Sequence, residues 1–319
     1  MAVYTHLSDA DLAALLAQYE LGAVESFTGI SEGVENTNYA LTTARGRFIL
    51  TLFERRVAAA DLPFFMGVMA QLASRGFQAP QPIATKDGAL LSRAKDKPAA
   101  IVSFLDGAWP REPTLAHCAA VGDALARMHL ALDGFALTRT NALGPAGWET
   151  LLRPRLSQAE NSRAGLGASV ERDLEETIGR WPTGLPRGVI HADLFPDNVL
   201  FTGDAVTGVI DFYFACTDFL AYDLAICLNA WCFENERTYA LERGRAMIAA
   251  YDAVRPLSDA ERAALPILAR GAALRFFATR LADWSETPAG ALVKPKDPIE
   301  YAVKLAFHRM CTQAADYGG

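Results

Sequence analysis

The spacing of apolar residues changes about one third of the way along the chain. In the first third, apolar and polar positions alternate, which is typical of strands whose two faces meet different surroundings. This alternation predicts strands at 24–30, 37–44, 47–53, 83–92 and 99–104. After Pro113, apolar residues recur three and four positions apart, as on helices that face a core. The pattern therefore predicts an α+β protein with two lobes, a β-rich N-terminal lobe and a helical C-terminal lobe.

Helical spacing also predicts individual elements. Helices are expected behind Ser8, at 62–75, at 114–132, at about 168–180, and over most of the chain from there to about residue 315. One β-hairpin signal interrupts the helical part, with arms at Val199–Phe201 and Gly208–Phe212 around a Thr-Gly-Asp turn.

Composition narrows the functional classes. Hydrophobic residues make up 51% of the 319 residues, which is ordinary for a folded globular chain. Lys and Arg number 30 against 37 Asp and Glu, and the resulting net charge of −7 argues against nucleic-acid binding through a basic surface. The five cysteines form no C-x-x-C pair, which argues against a zinc site or a disulfide framework.

Two observations argue against membrane insertion and secretion. The most apolar stretch, 212–233, is interrupted by Asp218, Asp223 and Asn229, so it does not resemble a membrane span. The first twenty residues carry acids where a signal peptide would need positive charge and an apolar run. We therefore expect a cytoplasmic protein that binds neither nucleic acid nor membrane.

The segment HADLFPDN, residues 191–198, carries the strongest chemical signal. Asp193 and Asn198 lie on a predicted loop, because Pro196 breaks any helix between them. The following hairpin returns Asp211 close to Asn198. An amide oxygen and a carboxylate then converge, which suits a hard divalent cation such as Mg²⁺ that also binds phosphate oxygens. Asp193 is placed to accept a proton from a hydroxyl group.

A metal-dependent hydrolase is an alternative use of His191, Asp193 and Asp211. Such sites normally need more imidazole, and the other histidines show no ligand spacing. These are His6, His117, His129 and His308. A phosphotransferase is favoured because this loop, with its residue spacing, is followed by a hairpin and by a second aspartate, Asp211.

A glycine-containing segment between two predicted strands suits a loop that covers phosphates. Two glycines within GISEGVENTN, residues 29–38, let the backbone approach phosphate oxygens closely. The candidate nucleotide contacts here are Gly29, Ser31, Gly33, Asn36 and Asn38. Phe104 and Asp106, where the chain crosses between the predicted lobes, are further candidates for contact with such a ligand.

The pattern H-x-D-x-x-x-x-N followed by a hairpin and Asp resembles the catalytic loop of kinases. HADLFPDN with VIDF is similar to the aminoglycoside phosphotransferase family, which includes choline and ethanolamine kinases. Phe212-Tyr213 replaces the Phe-Gly that follows the metal-binding Asp in protein kinases. The resemblance implies a two-lobed protein-kinase-like fold. Residues 1–103 would form the nucleotide-binding lobe, and 104–319 the helical lobe with the catalytic loop and substrate pocket.

The same resemblance implies roles for four residues. Asp193 would be the catalytic base and His191 its support within the catalytic loop. Asn198 and Asp211 would bind Mg²⁺, and ATP would be the phosphate donor.

The chain departs from the usual kinase pattern in the third strand. Kinase-like folds normally carry a Lys there that pairs with a Glu on the next helix. Here the position is Thr51, and the helix from Leu62 to Arg75 contains no acidic residue. The two charges are missing together, so neither is left unpaired. A catalytically silent nucleotide-binding protein is therefore an alternative, against which the intact Asp193, Asn198 and Asp211 count.

Five segments along the whole chain resemble the homoserine kinases of the aminoglycoside-phosphotransferase-like type. They are GISEGVENTNY, FILTLFE, HADLFPDN, VIDFYFA and YDLAICLNAWCFE. The resemblance implies transfer of the ATP γ-phosphoryl group to L-homoserine, giving O-phospho-L-homoserine for threonine biosynthesis. A kinase of the same fold that acts on choline, an aminoglycoside or a sugar is the alternative.

Homoserine is a small zwitterion, so its pocket needs a cation and an anion, and arginine pairs naturally with a carboxylate. The helical segments after the metal-binding Asp offer Asp223, Asn229, Arg275 and Arg280 as candidates. The sequence is compatible with a monomer or a homodimer.

Overall fold

The computed structural model describes residues 4–30, 36–54, 57–286 and 295–319. The N-terminal part contains one antiparallel sheet of five strands in the order β1-β2-β3-β5-β4. Its strands are β1 (Val24–Gly29), β2 (Thr37–Thr43), β3 (Gly46–Leu52), β4 (Ser92–Ala94) and β5 (Lys97–Ser103). Two helices accompany it, α1 (Asp9–Leu16) and α2 (Leu62–Ser74).

The two faces of this sheet meet different surroundings because its strands pair in register. One face carries Leu50 and Ile101 and packs on Leu15 of α1 to form a small core of its own. The other face carries Ile49 and Thr51. Ile49 packs against the larger core that extends into the helical part. The residues of β3 alternate between these faces as the sequence predicts.

The remaining chain is mainly helical. Its helices are α3 (Leu115–Ala131), α4 (Pro145–Leu152), α5 (Leu156–Ser162), α6 (Leu166–Gly179), α7 (Leu220–Trp231), α8 (Leu241–Val254), α9 (Asp259–Glu286) and α10 (Ile299–His308). Three two-stranded pairs lie among them: β6 (Arg187–Ile190) with β9 (Cys216–Phe219), β7 (Val199–Thr202) with β8 (Ala205–Val209), and β10 (Phe233–Glu234) with β11 (Thr238–Tyr239). In the described part of the chain, no helix is both long and apolar enough to cross a bilayer.

Helix α7 lies at the centre of the helical part. Ten of its twelve residues are buried, Asp223 and Asn229 among them. Amphipathic spacing cannot describe such a helix, because it is covered on every side. Its two polar side chains must therefore find hydrogen-bond partners inside the protein.

The observed elements confirm the α+β class, and most predicted elements are present. The continuous strand predicted at 83–92 is wrong: the chain pairs with β5 at Pro82 and Ile83, Thr85 and Ala89 then close a turn with Gly88 at φ +83°, and pairing resumes at Ser92. The second hairpin arm also begins earlier than predicted, at Ala205, since Gly203 at φ +60° allows a tight turn. The division of the chain at residues 103 and 104 stays a prediction.

Gly122 marks a place where two helices approach closely. A methyl group on this α3 residue would collide with the carbonyl oxygen of Met247 on α8. We expect Gly122→Ala to lower the free energy of unfolding by about 1–3 kcal/mol, because the helices would have to separate. Urea unfolding measures this change.

Gly179 on α6 is the matched control, because a methyl group there meets no atom within 4 Å. Gly179→Ala should raise the free energy of unfolding by about 0.5–1 kcal/mol, since alanine loses less backbone entropy on folding. Equal effects of the two substitutions would contradict the close approach of α3 and α8.

Candidate active site

The loop between β6 and β7 begins with a backbone conformation that few residues adopt. Ala192 lies at φ +64°, in the left-handed region that non-glycine residues rarely occupy. The Asp223 carboxylate accepts hydrogen bonds from the backbone N–H groups of His191 at 2.7 Å and Ala192 at 2.9 Å. A buried side chain of α7 therefore holds the start of the loop in place.

His191 is fully buried and joins this loop to the segment that carries Asp211. Its Nε2 donates to the Ile210 carbonyl oxygen at 2.9 Å, and its Nδ1 accepts from the Asp193 N–H at 3.2 Å. Burial holds the pKa of His191 below its usual range, so the ring is neutral near pH 7. These bonds fit a supporting role and leave no ring nitrogen for a substrate.

Asp193 and Asn198 face each other across the loop. The Asn198 Nδ2 donates to the Asp193 carbonyl oxygen at 2.8 Å and lies 3.4 Å from the Asp193 carboxylate. The amide nitrogen is thus committed to Asp193, which leaves the amide oxygen as the atom that can bind a cation. The backbone carbonyl oxygen of Asn198 accepts the Ile210 N–H at 3.0 Å. Asp211, the next residue, therefore lies beside Asn198.

Asp211 ends the hairpin in a second left-handed conformation, at φ +63°. Such strained positions persist only where the surrounding structure holds them, and they are common at functional sites. The structure therefore brings Asp193, Asn198 and Asp211 together, as their spacing predicts. An amide oxygen next to an exposed carboxylate is a donor set that fits Mg²⁺.

Arg275 of α9 reaches the same loop. One of its terminal nitrogens donates to the Ala192 carbonyl oxygen, and the other lies 3.7 Å from the Asp193 carboxylate. Its guanidinium group stacks on Phe276, 4.3 Å from the ring centre. Its Nε is buried and has no hydrogen-bond partner among the described residues. Arg275 therefore combines a fixed position next to Asp193 with one unused donor.

Arg280, the second candidate arginine, has other partners. It forms an ion pair with Glu300 of α10, donates to the Asp297 carbonyl oxygen and stacks over Tyr301. Of the two candidate arginines, Arg275 is therefore the one that contacts the loop with Asp193.

The burial of Asp223 and Asn229 disagrees with the expectation that they contact the substrate, and it corrects both assignments. Neither residue has any exposed surface. Burial alone would raise the pKa of Asp223, but hydrogen bonding and the charge of His129, 3.2 Å away, bring it below its usual range. Asn229 bonds the Ala269 carbonyl oxygen at 3.1 Å and His308 at 2.9 Å. Both are internal anchors.

In the N-terminal sheet, Asn38 and Thr51 are direct partners on neighbouring strands. The Thr51 hydroxyl donates to the Asn38 Oδ1 at 2.8 Å. Gly29 ends β1 opposite Tyr39. Ser31 and Gly33 lie outside the described residues.

Asn36 holds one end of the segment that is predicted to cover the phosphates. Its side-chain oxygen accepts the Glu54 N–H at 3.2 Å, and the side chain is buried. The Glu54 carboxylate in turn pairs with Lys97 and accepts the Thr37 hydroxyl at 2.8 Å. Since Thr37 faces the other side of the sheet from Asn38, this ion pair does not replace the one missing at Thr51.

The segment that crosses between the two parts of the chain is attached on both sides. The Phe104 N–H donates to the Arg47 carbonyl oxygen at 3.1 Å, and Arg47 stacks on the Phe104 ring and pairs with Asp106. Ala108 exchanges two backbone hydrogen bonds with Phe201, at 3.0 and 2.9 Å. Phe104 and Asp106 thus lie together, with their side chains in contact with Arg47.

Sequence reasoning assigned Asp223 to the wrong kind of contact. An acid within the apolar run LAYDLAICLNAW signals a buried charge that needs internal partners.

The comparisons with known proteins agree with this geometry. A model of the "Phosphotransferase enzyme family" matches residues 26–257. Homoserine kinases from Bradyrhizobium sp. (strain ORS 278) and Rhodospirillum rubrum are each 55% identical over 318 residues. The match covers 100% of this chain and 98% and 99% of theirs.

Solved structures confirm the fold. An amicoumacin kinase is 16% identical with a TM-score of 0.69, and the match covers 95% of this chain and 92% of that chain. A choline kinase from Cryptosporidium parvum is 14% identical with a TM-score of 0.63, covering 89% and 88%. The family model spans most of the chain and the sequence relatives match it from end to end. The chain therefore belongs to the phosphotransferase enzyme family and, within it, to the homoserine kinases.

Proposed function

We propose that this chain is an ATP-dependent kinase that phosphorylates the side-chain hydroxyl of L-homoserine. The product, O-phospho-L-homoserine, would serve threonine biosynthesis. The observation that carries the proposal is the 55% identity to homoserine kinases over the full length of the chain. The hydrogen-bonded loop with Asp193, Asn198 and Asp211 supplies the chemistry that such a transfer needs.

Asp193 is the proposed base. Its carboxylate is partly exposed, and it is positioned through the Asn198 amide and the nearby Arg275. A carboxylate in this place orients the acceptor hydroxyl toward the phosphoryl group and accepts its proton as the new bond forms. Positioning supplies much of the catalysis in such transfers, so the rigid anchoring of the loop is part of the mechanism.

Asn198 and Asp211 are the proposed Mg²⁺ ligands. A bound Mg²⁺ neutralises negative charge on the transferred phosphate and orients it. The Asn198 amide nitrogen is held by Asp193, which leaves the amide oxygen for the cation, and Asp211 follows Ile210, whose N–H is bonded to the Asn198 backbone.

Arg275 is the proposed contact for the homoserine carboxylate. Four bonds of roughly 1.5 Å each separate the hydroxyl oxygen of homoserine from its carboxylate carbon. Because an extended chain zigzags, its two ends lie about 5 Å apart. A cation next to Asp193 therefore suits a substrate whose hydroxyl meets that carboxylate. The proposed donor is the terminal nitrogen of Arg275 that lies 3.7 Å from the Asp193 carboxylate.

For the nucleotide, we place the adenine beside the crossing segment at Phe104 and Asp106. The phosphates would lie between Asp211 and the sheet face that carries Asn38 and Thr51. Kinases of this fold that act on choline, aminoglycosides or sugars remain the alternative to the homoserine assignment. The resemblance of this chain to the solved amicoumacin kinase and choline kinase, at 16% and 14% identity, indicates the fold alone.

Replacing Asp193 by Asn removes the proposed base while keeping its size. We expect turnover with homoserine to fall about a hundredfold or more, with little change in ATP affinity, because the nucleotide does not depend on that carboxylate. Steady-state kinetics and nucleotide titration measure the two effects. Asp197→Asn, on the same loop but more than half exposed, is the control and should retain near-normal turnover. Normal turnover in Asp193→Asn would reject the assignment.

Replacing Asp211 by Asn weakens the proposed metal site. The variant should need about tenfold or more Mg²⁺ for half-maximal activity, because a neutral amide attracts the cation less than a carboxylate does. A Mg²⁺ titration of activity at fixed ATP checks this. Asp204→Asn, at the tip of the same hairpin, serves as the control. An unchanged Mg²⁺ requirement in Asp211→Asn would exclude this residue as a ligand.

Acceptor specificity tests the function directly. ADP release with Mg-ATP is compared for L-homoserine, L-serine, L-threonine, choline and kanamycin, each against a blank without acceptor. We expect strong turnover with homoserine alone. Preference for another acceptor would overturn the substrate but keep the reaction class. Nucleotide binding without turnover on any acceptor would instead favour a non-catalytic protein.

A further inference from the structure

An acidic residue lies directly before α2, although the helix itself contains none. Kinase-like folds normally attach the corresponding helix to the active site through a glutamate that pairs with the third-strand lysine. Here that lysine is replaced by Thr51, and the acid is Asp61, one position ahead of Leu62. The Asp61 side chain makes no capping hydrogen bond to α2. Its carboxylate therefore bonds a partner outside its own helix.

That partner is Arg139, which lies on the connection between α3 and α4. Its Nε donates to the Asp61 carboxylate at 2.7 Å, and its Nη1 donates to the Ala215 carbonyl oxygen at 3.1 Å. Ala215 follows the short turn that begins directly after Asp211. One planar guanidinium group thus joins the start of α2 to the segment behind the proposed metal ligand, and the single ammonium group of a lysine presents no such fork of donors.

Further contacts fix the position of Arg139. Its backbone N–H donates to the Thr217 Oγ1 at 3.2 Å, and its carbonyl oxygen accepts the Thr217 N–H at 2.7 Å. Its guanidinium group lies over the ring of Phe65 on α2, 5.1 Å from the ring centre. Phe65 in turn packs edge-on against Tyr213 at 5.7 Å. Arg139 therefore contacts both the helix and the segment 212–217 through more than one group.

Helix α2 also contacts the α3–α4 connection away from Arg139. Near its C-terminal end, the Gln71 Nε2 donates to the Ala131 carbonyl oxygen at 3.0 Å. In its first turn, Phe64 packs edge-on against Phe135 at 5.5 Å. The Asp61 carboxylate makes the polar contact at the N-terminal end. The position of α2 is therefore set from the helical part of the chain at both ends.

We propose that the Asp61–Arg139 ion pair performs the positioning task of the missing third-strand pair: it holds α2 against the segment 212–217 and thereby fixes Asp211 for binding Mg²⁺. The inference rests on the proposed function, in which Asp211 is a metal ligand. It assigns Asp61 and Arg139 as positioning residues, which act on the metal site through that segment.

Arg139→Gln removes both guanidinium contacts. The Mg²⁺ concentration for half-maximal binding of a non-hydrolysable ATP analogue should rise about tenfold, which is the lower end of the effect of residues that orient metal ligands. Binding of the analogue without Mg²⁺ should not change, because the pair acts only on the metal site. Titration calorimetry on the full chain, without any acceptor, gives both values.

Hydrogen exchange on the chain without nucleotide is a second readout. The backbone amides of residues 65–68 on α2 and of 215–217 should exchange faster in Arg139→Gln, because both segments lose a contact that opposes local opening. The amides of the central helix α7 should exchange at the rate of the unmodified protein. Unchanged exchange in both segments would show that the pair does not hold them, and would overturn the proposal.

The second half of the pair tests whether the two residues act together. Asp61→Asn should raise the Mg²⁺ requirement less than Arg139→Gln does, because Arg139 keeps its bond to Ala215. The double variant should be no worse than Arg139→Gln alone, since Asp61 acts only through Arg139. If Arg139→Gln does not fold, Asp61→Asn decides the proposal by the same titration.

Arg262→Gln is the matched control. Arg262 pairs with Asp252 at 2.6 Å and joins α9 to α8. The side chains of that pair are 34% and 32% exposed, against 22% and 31% for Arg139 and Asp61. The control variant should therefore lose an ion pair of similar exposure, and should bind the analogue with the Mg²⁺ requirement of the unmodified protein.

Each outcome decides the proposal. An unchanged Mg²⁺ requirement in Arg139→Gln would overturn it, and so would an equal increase in Arg262→Gln. Equal losses of affinity with and without Mg²⁺ would also overturn it, because they would indicate a distorted cleft. Binding that is independent of Mg²⁺ in the unmodified chain would reject it together with the metal site. Failure of the unmodified chain to phosphorylate homoserine would reject only the proposed substrate, since these titrations contain no acceptor.

Discussion

The active site depends on one buried carboxylate. Asp223 lies within α7, has no contact with water, and accepts hydrogen bonds from two consecutive backbone N–H groups of the catalytic loop and from His129. A buried charge without such partners would strongly destabilise the fold. The same bonds that stabilise the carboxylate hold Ala192 in its left-handed conformation. The same hydrogen bonds therefore stabilise the helical core and set the geometry of the loop.

From this anchor, a sequence of contacts sets the positions of the reacting groups. His191 connects the loop to Ile210, Asn198 connects Asp193 to the hairpin, and Arg275 closes the loop from α9. Each contact uses a donor and an acceptor that are fully or partly shielded from water, where hydrogen bonds are electrostatically stronger than in water. The site can thus be rigid although both left-handed residues, Ala192 and Asp211, are intrinsically strained.

The sequence predicts the fold class, most elements and the loop with Asp193, Asn198 and Asp211, because these depend on local spacing. It fails at 83–92, where turn geometry overrides an alternating pattern. It also misassigns Asp223 and Asn229, because a polar residue on a helix that is covered on all sides has no periodic signature. Which residues such groups bond depends on tertiary neighbours, and spacing along a single chain carries no information about them.

Thr51 shows how the absence of a charge can be compatible with the rest of the site. A lysine at this position without its glutamate would be an unpaired cation in a partly buried cleft, whose desolvation is costly. Neutral groups avoid that cost, and the Thr51 hydroxyl donates to the Asn38 Oδ1 at 2.8 Å. Neutral groups attract phosphate less strongly than a lysine does. In the proposed mechanism, the proposed metal ligands Asn198 and Asp211 therefore carry more of the phosphate binding than in a kinase with the third-strand lysine.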